Sequence, residues 1–267
     1  MTRLPTLFLS HGSPMNAVLP TESSRTWAML GQTLGKPRAV LVASAHWETS
    51  VPMLSGNAKP ETIHDFGGFP DELYQIAYPA PGAPDLAAKA VSLLKDAGIA
   101  AGVNGCRGLD HGAWVPLRWM YPDADIPVVE ISLQPGLGAA RHVELGRALA
   151  PLAMEGVLLV GSGHITHNLR DWMANPRRVE PLRYAQAFAD WVHARLSAGD
   201  TGALVAYREQ GPEGARAHPS EEHFLPLLFA WGAAADGARV ERLSAGFEAG
   251  ALANDTYVFR SATGRAH

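Results

Sequence analysis

The sequence predicts an α/β fold, a mostly parallel central sheet flanked by helices on both faces, with a site at the C-terminal ends of the strands. Two observations carry this expectation. Apolar runs such as Ala39-Val40-Leu41-Val42-Ala43 and Val157-Leu158-Leu159-Val160 are too continuous for half-exposed strands and read as strands buried on both faces. Segments of helical periodicity alternate with them across short connections, which favours parallel strands joined by crossover helices. In open sheets of this kind ligands collect in the crevice beyond the carboxyl ends of the strands. Several of the apolar runs break off there in histidine.

The first run, Leu7-Phe8-Leu9, ends in Ser10-His11-Gly12-Ser13-Pro14, where turn formers follow the histidine directly. Thr21-Glu22-Ser23-Ser24 is a polar cluster able to cap a helix carrying Trp27, Met29, Leu30 and Leu34, stopped by Gly35-Lys36-Pro37. The run from Ala39 is a central strand ending in His46-Trp47, and Pro52-Met53-Leu54-Ser55 is a short strand. From Ile63 to Pro84 the chain is rich in Gly, Pro and aromatic residues, the composition of a functional loop inside a compact domain, and it reads as a lid or wall. Pro84-Asp85 opens a helix with Leu86, Ala90, Leu93 and Leu94 on one face, closed by Gly98. Gly108 to Pro116 is a turn-rich segment around His111, with a short helix after it through Leu117, Trp119 and Met120. Pro127 to Leu133 is a third strand followed by a helix from Ala139 to Met154, and Val157 to Val160 is a fourth, running into Gly161-Ser162-Gly163-His164 and then His167. Pro181 to Leu196 is amphipathic and helical. Pro226 cannot sit in a helix interior, so the last helix starts later than a cap at Ser220 would set it. Thr256 to Phe259 is a last strand.

At 267 residues the chain is expected to form one catalytic-sized domain over 1–267. Hydrophobic residues at 47% and charged residues at 18% exclude intrinsic disorder. A net charge of -4 without a Lys/Arg-rich stretch gives no electrostatic reason to expect nucleic acid or a membrane surface as partner, so a small molecule is the expected one. The single cysteine, Cys106, allows no intrachain disulfide and suits a reducing compartment. With no leader-like pattern at the N-terminus and no apolar stretch of bilayer-spanning length, the expected location is cytoplasmic. Oligomeric state is left open, a homo-oligomer included.

Eleven histidines invite individual weighing. His142 and His193 lie in helices rich in polar residues and His267 ends the chain, which leaves them ordinary structural or surface roles. His11 and His46 each follow a buried strand, and imidazoles on rigid strand tips suit metal ligation, although hydrogen-bonded strand caps are the bland alternative. Gly161-Ser162-Gly163 before His164 and His167 completes neither a P-loop nor G-x-G-x-x-G, and Val160 breaks the G-x-S-x-G pattern. His218, Glu221, Glu222 and His223 put two imidazoles and two carboxylates within one short segment, either a further metal ligand with a spare acid-base group or a solvated helix start.

Taken together, Ser10-His11-Gly12-Ser13-Pro14-Met15, Ser44-Ala45-His46-Trp47, His64-Asp65-Phe66-Gly67-Gly68-Phe69-Pro70, Tyr78-Pro79-Ala80-Pro81-Gly82, Asp110-His111-Gly112, Gly161-Ser162-Gly163 with His167-Asn168-Leu169, and His218-Pro219 with Glu222-His223 resemble the 4,5-DOPA dioxygenase extradiol family of class III (LigB-like) ring-cleaving dioxygenases. The resemblance implies a mononuclear non-haem Fe(II) enzyme that inserts both atoms of O2 into a catechol such as L-DOPA. It implies His11 and His46 as metal ligands, and His223 as the third where the wider class uses glutamate, with Glu222 or His218 as alternatives. It implies His167 as general base and later acid, or as a fourth ligand on the metal. His111 matches a second catalytic histidine that contacts substrate or oxygen, and His218 a further supporting group. His64, Phe69 and Tyr74 are expected to line the pocket for the substrate ring. An all-imidazole site is also friendly to Zn(II). A zinc-dependent hydrolase and a non-catalytic binding protein of the same fold are the competing readings.

Overall fold

The computed structural model describes residues 3–243 and 246–262. Among them the strands are β1 (Thr6–Ser10), β2 (Ala39–Glu48), β3 (Met53–Ser55), β4 (Gly102–Asn104), β5 (Val128–Leu133), β6 (Val157–Gly163), β7 (Arg239–Leu243), β8 (Phe247–Glu248), β9 (Leu252–Ala253) and β10 (Thr256–Arg260). Eight of them form one sheet in the order β4-β3-β5-β2-β6-β1-β10-β7, and β8 pairs with β9 apart from it.

The sheet is mixed, which corrects the expectation of a mostly parallel one. Its centre is parallel: β2 pairs with β5 and with β6, and β6 with β1. On one flank β10 runs antiparallel to β1 and β7 antiparallel to β10. On the other, β3 is antiparallel to β5, with β4 parallel to β3. The continuous apolar runs are the parallel strands, as burial on both faces requires. The flanking strands are short or charged, and Arg239-Val240-Glu241-Arg242-Leu243 is an edge strand whose charges discourage further pairing.

Alternation along the central strands divides the core in two. Phe8, Leu41, Ala43 and Leu159 face the helices Pro84–Asp96, Ala139–Leu149, Arg183–Ser197 and Leu225–Ala233. Leu7, Leu9, Val40, Val42 and Val160 face Glu22–Leu34 and His111–Met120, where Trp27 and Trp114 are fully buried. Each such Leu or Phe contributes about 1.5–3 kcal/mol relative to an exposed one. Among the described residues no helix is long and apolar enough to cross a membrane.

Three local expectations are corrected. The helix expected over Ala139 to Met154 ends at Leu149, because Pro151 cannot extend it, and continues as a tighter 3-10 segment, Ala150–Glu155. The helix after Asp110 begins at His111 itself, its first turn capped by the Asp110 side chain, which accepts from the Ala113 N–H. His46 lies within β2, which continues to Glu48 through a register shift against β5 between Ala43 and Glu48. The last helix starts at Leu225 with Pro226 in its first turn, where a missing N–H costs nothing.

Glycines set how closely this last helix can lie. A Cβ at Gly161 would collide with the Pro226 carbonyl oxygen, and one at Gly163 with that of His223. The two glycines at the end of β6 therefore let the segment carrying His223 sit directly on the strand.

Candidate metal centre

The histidines that end the central strands meet others at one end of the sheet. His11 N–H continues the β1 ladder onto the Gly163 carbonyl at 3.1 Å. The shifted register of β2 turns His46 toward it, an irregularity of the kind that re-aims side chains beside functional sites. After β6, His164 N–H donates to the His223 carbonyl at 2.8 Å and His167 N–H to that of Ala217 at 2.8 Å, so the segment before the last helix is tied down over the strand ends. The ligand atoms of His11, His46 and His223 all lie within 4.8 Å of one another.

Two of these three rings have Nδ1 in a hydrogen bond. His11 Nδ1 lies 3.0 Å from Ser162 Oγ, whose own proton goes to the Gly112 carbonyl, so the hydroxyl accepts and His11 carries its proton on Nδ1. That carbonyl is free because Pro116, four residues on in the helix, has no N–H to offer it. His223 Nδ1 donates to Glu222 Oε1 at 2.9 Å, while His46 Nδ1 stands within ion-pair distance of Asp65 Oδ2, at 3.4 Å. With the protons of His11 and His223 held on Nδ1, their Nε2 lone pairs remain, the arrangement outer partners impose on metal-binding histidines.

The donor set fits a cation. His11 Nε2 and His46 Nε2 stand 3.1 Å apart. Two imidazole nitrogens about 2.1 Å from a common ion, at about 90–110°, stand roughly 3 to 3.4 Å apart. Burial, then the surrounding imidazoles, hold His11 and His223 well below the ordinary value of 6.5. Burial, then His111, brings His46 to about 4. The lone pairs are thus available at neutral pH without displacing protons.

His111 sits against His46 with ring centroids 4.0 Å apart, and His167 stacks on His223 at 3.4 Å, its ring 13° from parallel. His167 groups with Glu222 and His223 as donors, 4.0 Å from Glu222 Oε1, rather than with His11 and His46. His218 is fully buried behind the cluster, its Nε2–H donating to the Ile165 carbonyl at 2.8 Å. Of the expected pocket residues, His64 donates from Nε2 to the Ile76 carbonyl, and Phe69 and Tyr74 pack with Phe66 in the same loop. Phe66, not singled out beforehand, is the loop aromatic that reaches the His111 ring, at 5.6 Å. His142 is fully buried and satisfied, donating to Gly138 O and accepting from Gln134 N–H.

Sequence reasoning assigned no role to the groups beneath these rings. Asp65 accepts from both the backbone N–H and Nδ1–H of His111, each at 2.9 Å. Burial would raise its carboxyl, but the His111 hydrogen bond and the nearby imidazoles outweigh this and hold it at about 2. Arg107 pairs with buried Asp110 at 2.6 Å and Glu130 at 3.3 Å, and also donates to the His46 carbonyl. His164, left as part of a glycine turn, accepts the Gly12 N–H on Nε2 at 3.0 Å and thereby fixes the turn that follows His11. Asp65 and Asp110 each stand beside a histidine in the quoted motifs, which is the local signal that marks them.

Acid should unfold the metal-free protein through these rings. Burial brings His164 to about 3 and His46, His142 and His218 to about 4, against 6.5 in an unfolded chain. Between those values the unfolded chain binds more protons, so the stability is fully present above about pH 6.5 and falls toward pH 4, by up to about 1.4 kcal/mol per pH unit for each ring. The urea midpoint of metal-free protein at pH 5 is expected well below that at pH 7.5; equal midpoints would contradict a neutral buried cluster.

Residues 5–259 match the family model described as the catalytic LigB subunit of aromatic ring-opening dioxygenase. The chain is 41% identical over 260 residues to the 4,5-DOPA dioxygenase extradiol of Beta vulgaris, covering 96% of each, and 44% identical over 237 residues to that of Escherichia coli (strain K12), covering 87% of this chain and 86% of that one. It also superposes on the crystal structure of an uncharacterized protein from Escherichia coli K12 with a TM-score of 0.80 at 37% identity, covering 96% of this chain and 99% of that one. With the family model spanning nearly the whole described chain and relatives covered along most of their length, the chain belongs to the LigB-like, 4,5-DOPA dioxygenase extradiol family.

Proposed function

We propose that the protein is an extradiol dioxygenase that opens the ring of a catechol such as L-DOPA, inserting both atoms of O2, with a mononuclear Fe(II) held by His11, His46 and His223. The observation that carries this reading is the meeting of imidazole donor atoms of His11, His46 and His223, from separate elements, within 4.8 Å of one another. Three protein ligands would leave other positions on such an ion for substrate and O2. Fe(II) bound there supplies chelation of the two catechol oxygens and a route for electrons from ring to oxygen. Zn(II) fits the same donors but supplies no such redox route.

The chain's own groups supply the proton handling. His167 is held neutral, burial and then His164 lowering it to about 2, so its ring enters the reaction able to accept a proton. An anionic catecholate beside it favours the charged imidazolium, so taking the second hydroxyl proton becomes easier as the substrate docks. The same nitrogen returns that proton later as acid. His111, its Nδ1–H held by Asp65, presents a bare Nε2 that accepts a hydrogen bond from substrate. Phe66, Phe69 and Tyr74 offer aromatic faces for the ring and exclude water from it.

The charges near the site favour an amino-acid catechol through its ammonium. The carboxyl of Glu48 is raised by partial burial and then by the neighbouring Glu222, so two acids share this region. Arg107 is committed inward to Asp110 and Glu130, and Arg118, Arg170 and Arg177 are exposed.

His167→Ala is expected to lower kcat by about 10²–10⁴-fold while one metal per chain is retained, which parallel metal analysis and turnover measure. The reading as a whole is tested by oxygen uptake with anaerobically Fe(II)-loaded protein, L-DOPA and simple catechols. One O2 consumed per catechol with a yellow ring-opened product supports it. No uptake despite confirmed Fe(II) loading overturns it in favour of a zinc hydrolase or a binding protein.

A further inference from the structure

Asp65 lies in the aromatic loop between β3 and β4, and its side chain, 22% exposed, leaves that loop to meet two histidines. Oδ1 accepts the backbone N–H of His111 at the open N-terminus of its helix, and Oδ2 accepts His111 Nδ1–H, both at 2.9 Å. The same Oδ2 is 3.4 Å from Nδ1 of His46. One carboxylate oxygen therefore accepts from a ring placed for substrate and stands within ion-pair distance of a metal-ligand ring. The loop that carries it also sets Phe66 against His111 at 5.6 Å, while the Trp114 indole N–H donates to the Ile63 carbonyl at 2.9 Å.

We infer that Asp65 is a positioning residue that couples seating of the aromatic loop to assembly of the centre, fixing His111 as its Nδ1–H tautomer by a hydrogen bond and setting a carboxylate charge beside Nδ1 of His46. If the loop lifts, His111 loses the acceptor that dictates its tautomer and His46 loses the carboxylate beside its ring. This rests on the His11, His46 and His223 centre proposed above. Asparagine at position 65 keeps one acceptor oxygen but removes the charge and places an NH2 donor where Oδ2 received the His111 proton or where Oδ1 received its backbone N–H, so it cannot reproduce both contacts.

The test uses the full chain, stripped of metal and titrated with Zn(II) against a competing chelator, with 15N spectra of the imidazoles recorded in parallel. Asp65→Asn is expected to weaken Zn(II) binding by about 10- to 100-fold and to turn His111 from a single Nδ1–H tautomer into a mixture. Phe66→Leu, which removes the aromatic contact to His111 but leaves the loop tied through Ile63 to Trp114 with the carboxylate in place, is expected to stay under about tenfold with the His111 tautomer unchanged. Asp65→Asn matching wild type in both readouts overturns the inference, as does Phe66→Leu reproducing both losses. Two Zn(II) per chain, with the second lost in Asp65→Asn, also overturns it, because Asp65 would then be a ligand of its own ion. Wild-type protein that binds no Zn(II) sinks the centre itself, a failure distinct from an Asp65→Asn variant that binds normally beside a binding wild type.

Discussion

His11→Ala or His46→Ala is expected to abolish bound metal and turnover together. The Nε2 atoms of the two rings stand 3.1 Å apart, that of His11 freed by the Ser162 contact to its Nδ1 and that of His46 on a ring whose Nδ1 faces Asp65. Loss of an outer partner alone costs about 10- to 100-fold in metal affinity, so loss of the ligand exceeds that range. Metal analysis after purification and anaerobic reloading measures it. Turnover that survives metal loss would refute the assignment. The third ligand is decided in the same series: His223→Ala should lose the metal and His218→Ala should keep it, because His218 spends its Nε2–H on the Ile165 carbonyl behind the cluster. The opposite pattern would move the role to His218.

Arg107→Ala is expected to cost about 3–5 kcal/mol of stability, the usual penalty for removing one partner of a buried ion network. Asp110 and Glu130 are both fully buried, and only this guanidinium answers them with charge, at 2.6 Å and 3.3 Å. Burial, and then Asp110, already push the Glu130 carboxyl well above its ordinary range. Without Arg107 nothing offsets that burial, so the loss should shrink on adding Glu130→Gln. Arg107→Lys keeps the charge but not the forked geometry and should recover only part. Urea denaturation of wild type, Arg107→Ala, Glu130→Gln, the double variant and Arg107→Lys measures this; independent, additive losses for Arg107→Ala and Glu130→Gln would contradict a shared network. The variant should also bind metal less tightly, since the guanidinium donates to the His46 carbonyl and the Asp110 side chain caps the helix bearing His111.

The parallel centre of the fold was legible because a strand buried on both faces has no polar positions to obscure it. Gly102-Val103-Asn104 and the charged strand from Arg239 were not, because three-residue and edge strands carry neither alternation nor an apolar run. Their pairing directions depend on partners distant in sequence, so the antiparallel flanks could not be read locally. At the site, His11, His46, His111, His167 and His223 were legible through their motifs, and the structure brings them together. Glu130 was hidden inside an apolar strand, Val128-Val129-Glu130-Ile131, where only the tertiary partner Arg107 explains a buried acid. Gly112 and Pro116 read as turn residues, yet both lie in a helix. The proline's missing N–H is what leaves the Gly112 carbonyl to Ser162 and so, one bond further, orients His11.

The place of β1 between β6 and β10 has a consequence for biosynthesis. Among the described strands β1 leaves the ribosome first, and it pairs with partners whose residues lie about 150 and 250 positions later, as Thr6 with Leu159 and with Phe259. Closing loops of that length costs entropy that only late contacts return, which slows folding. Until β10 is synthesised, the apolar edge Leu7-Phe8-Leu9 stands open beside the nascent His11, a template for pairing with another chain. A chain cut before Thr256 keeps its histidine ligands but exposes that edge, and its failure would be aggregation rather than loss of chemistry.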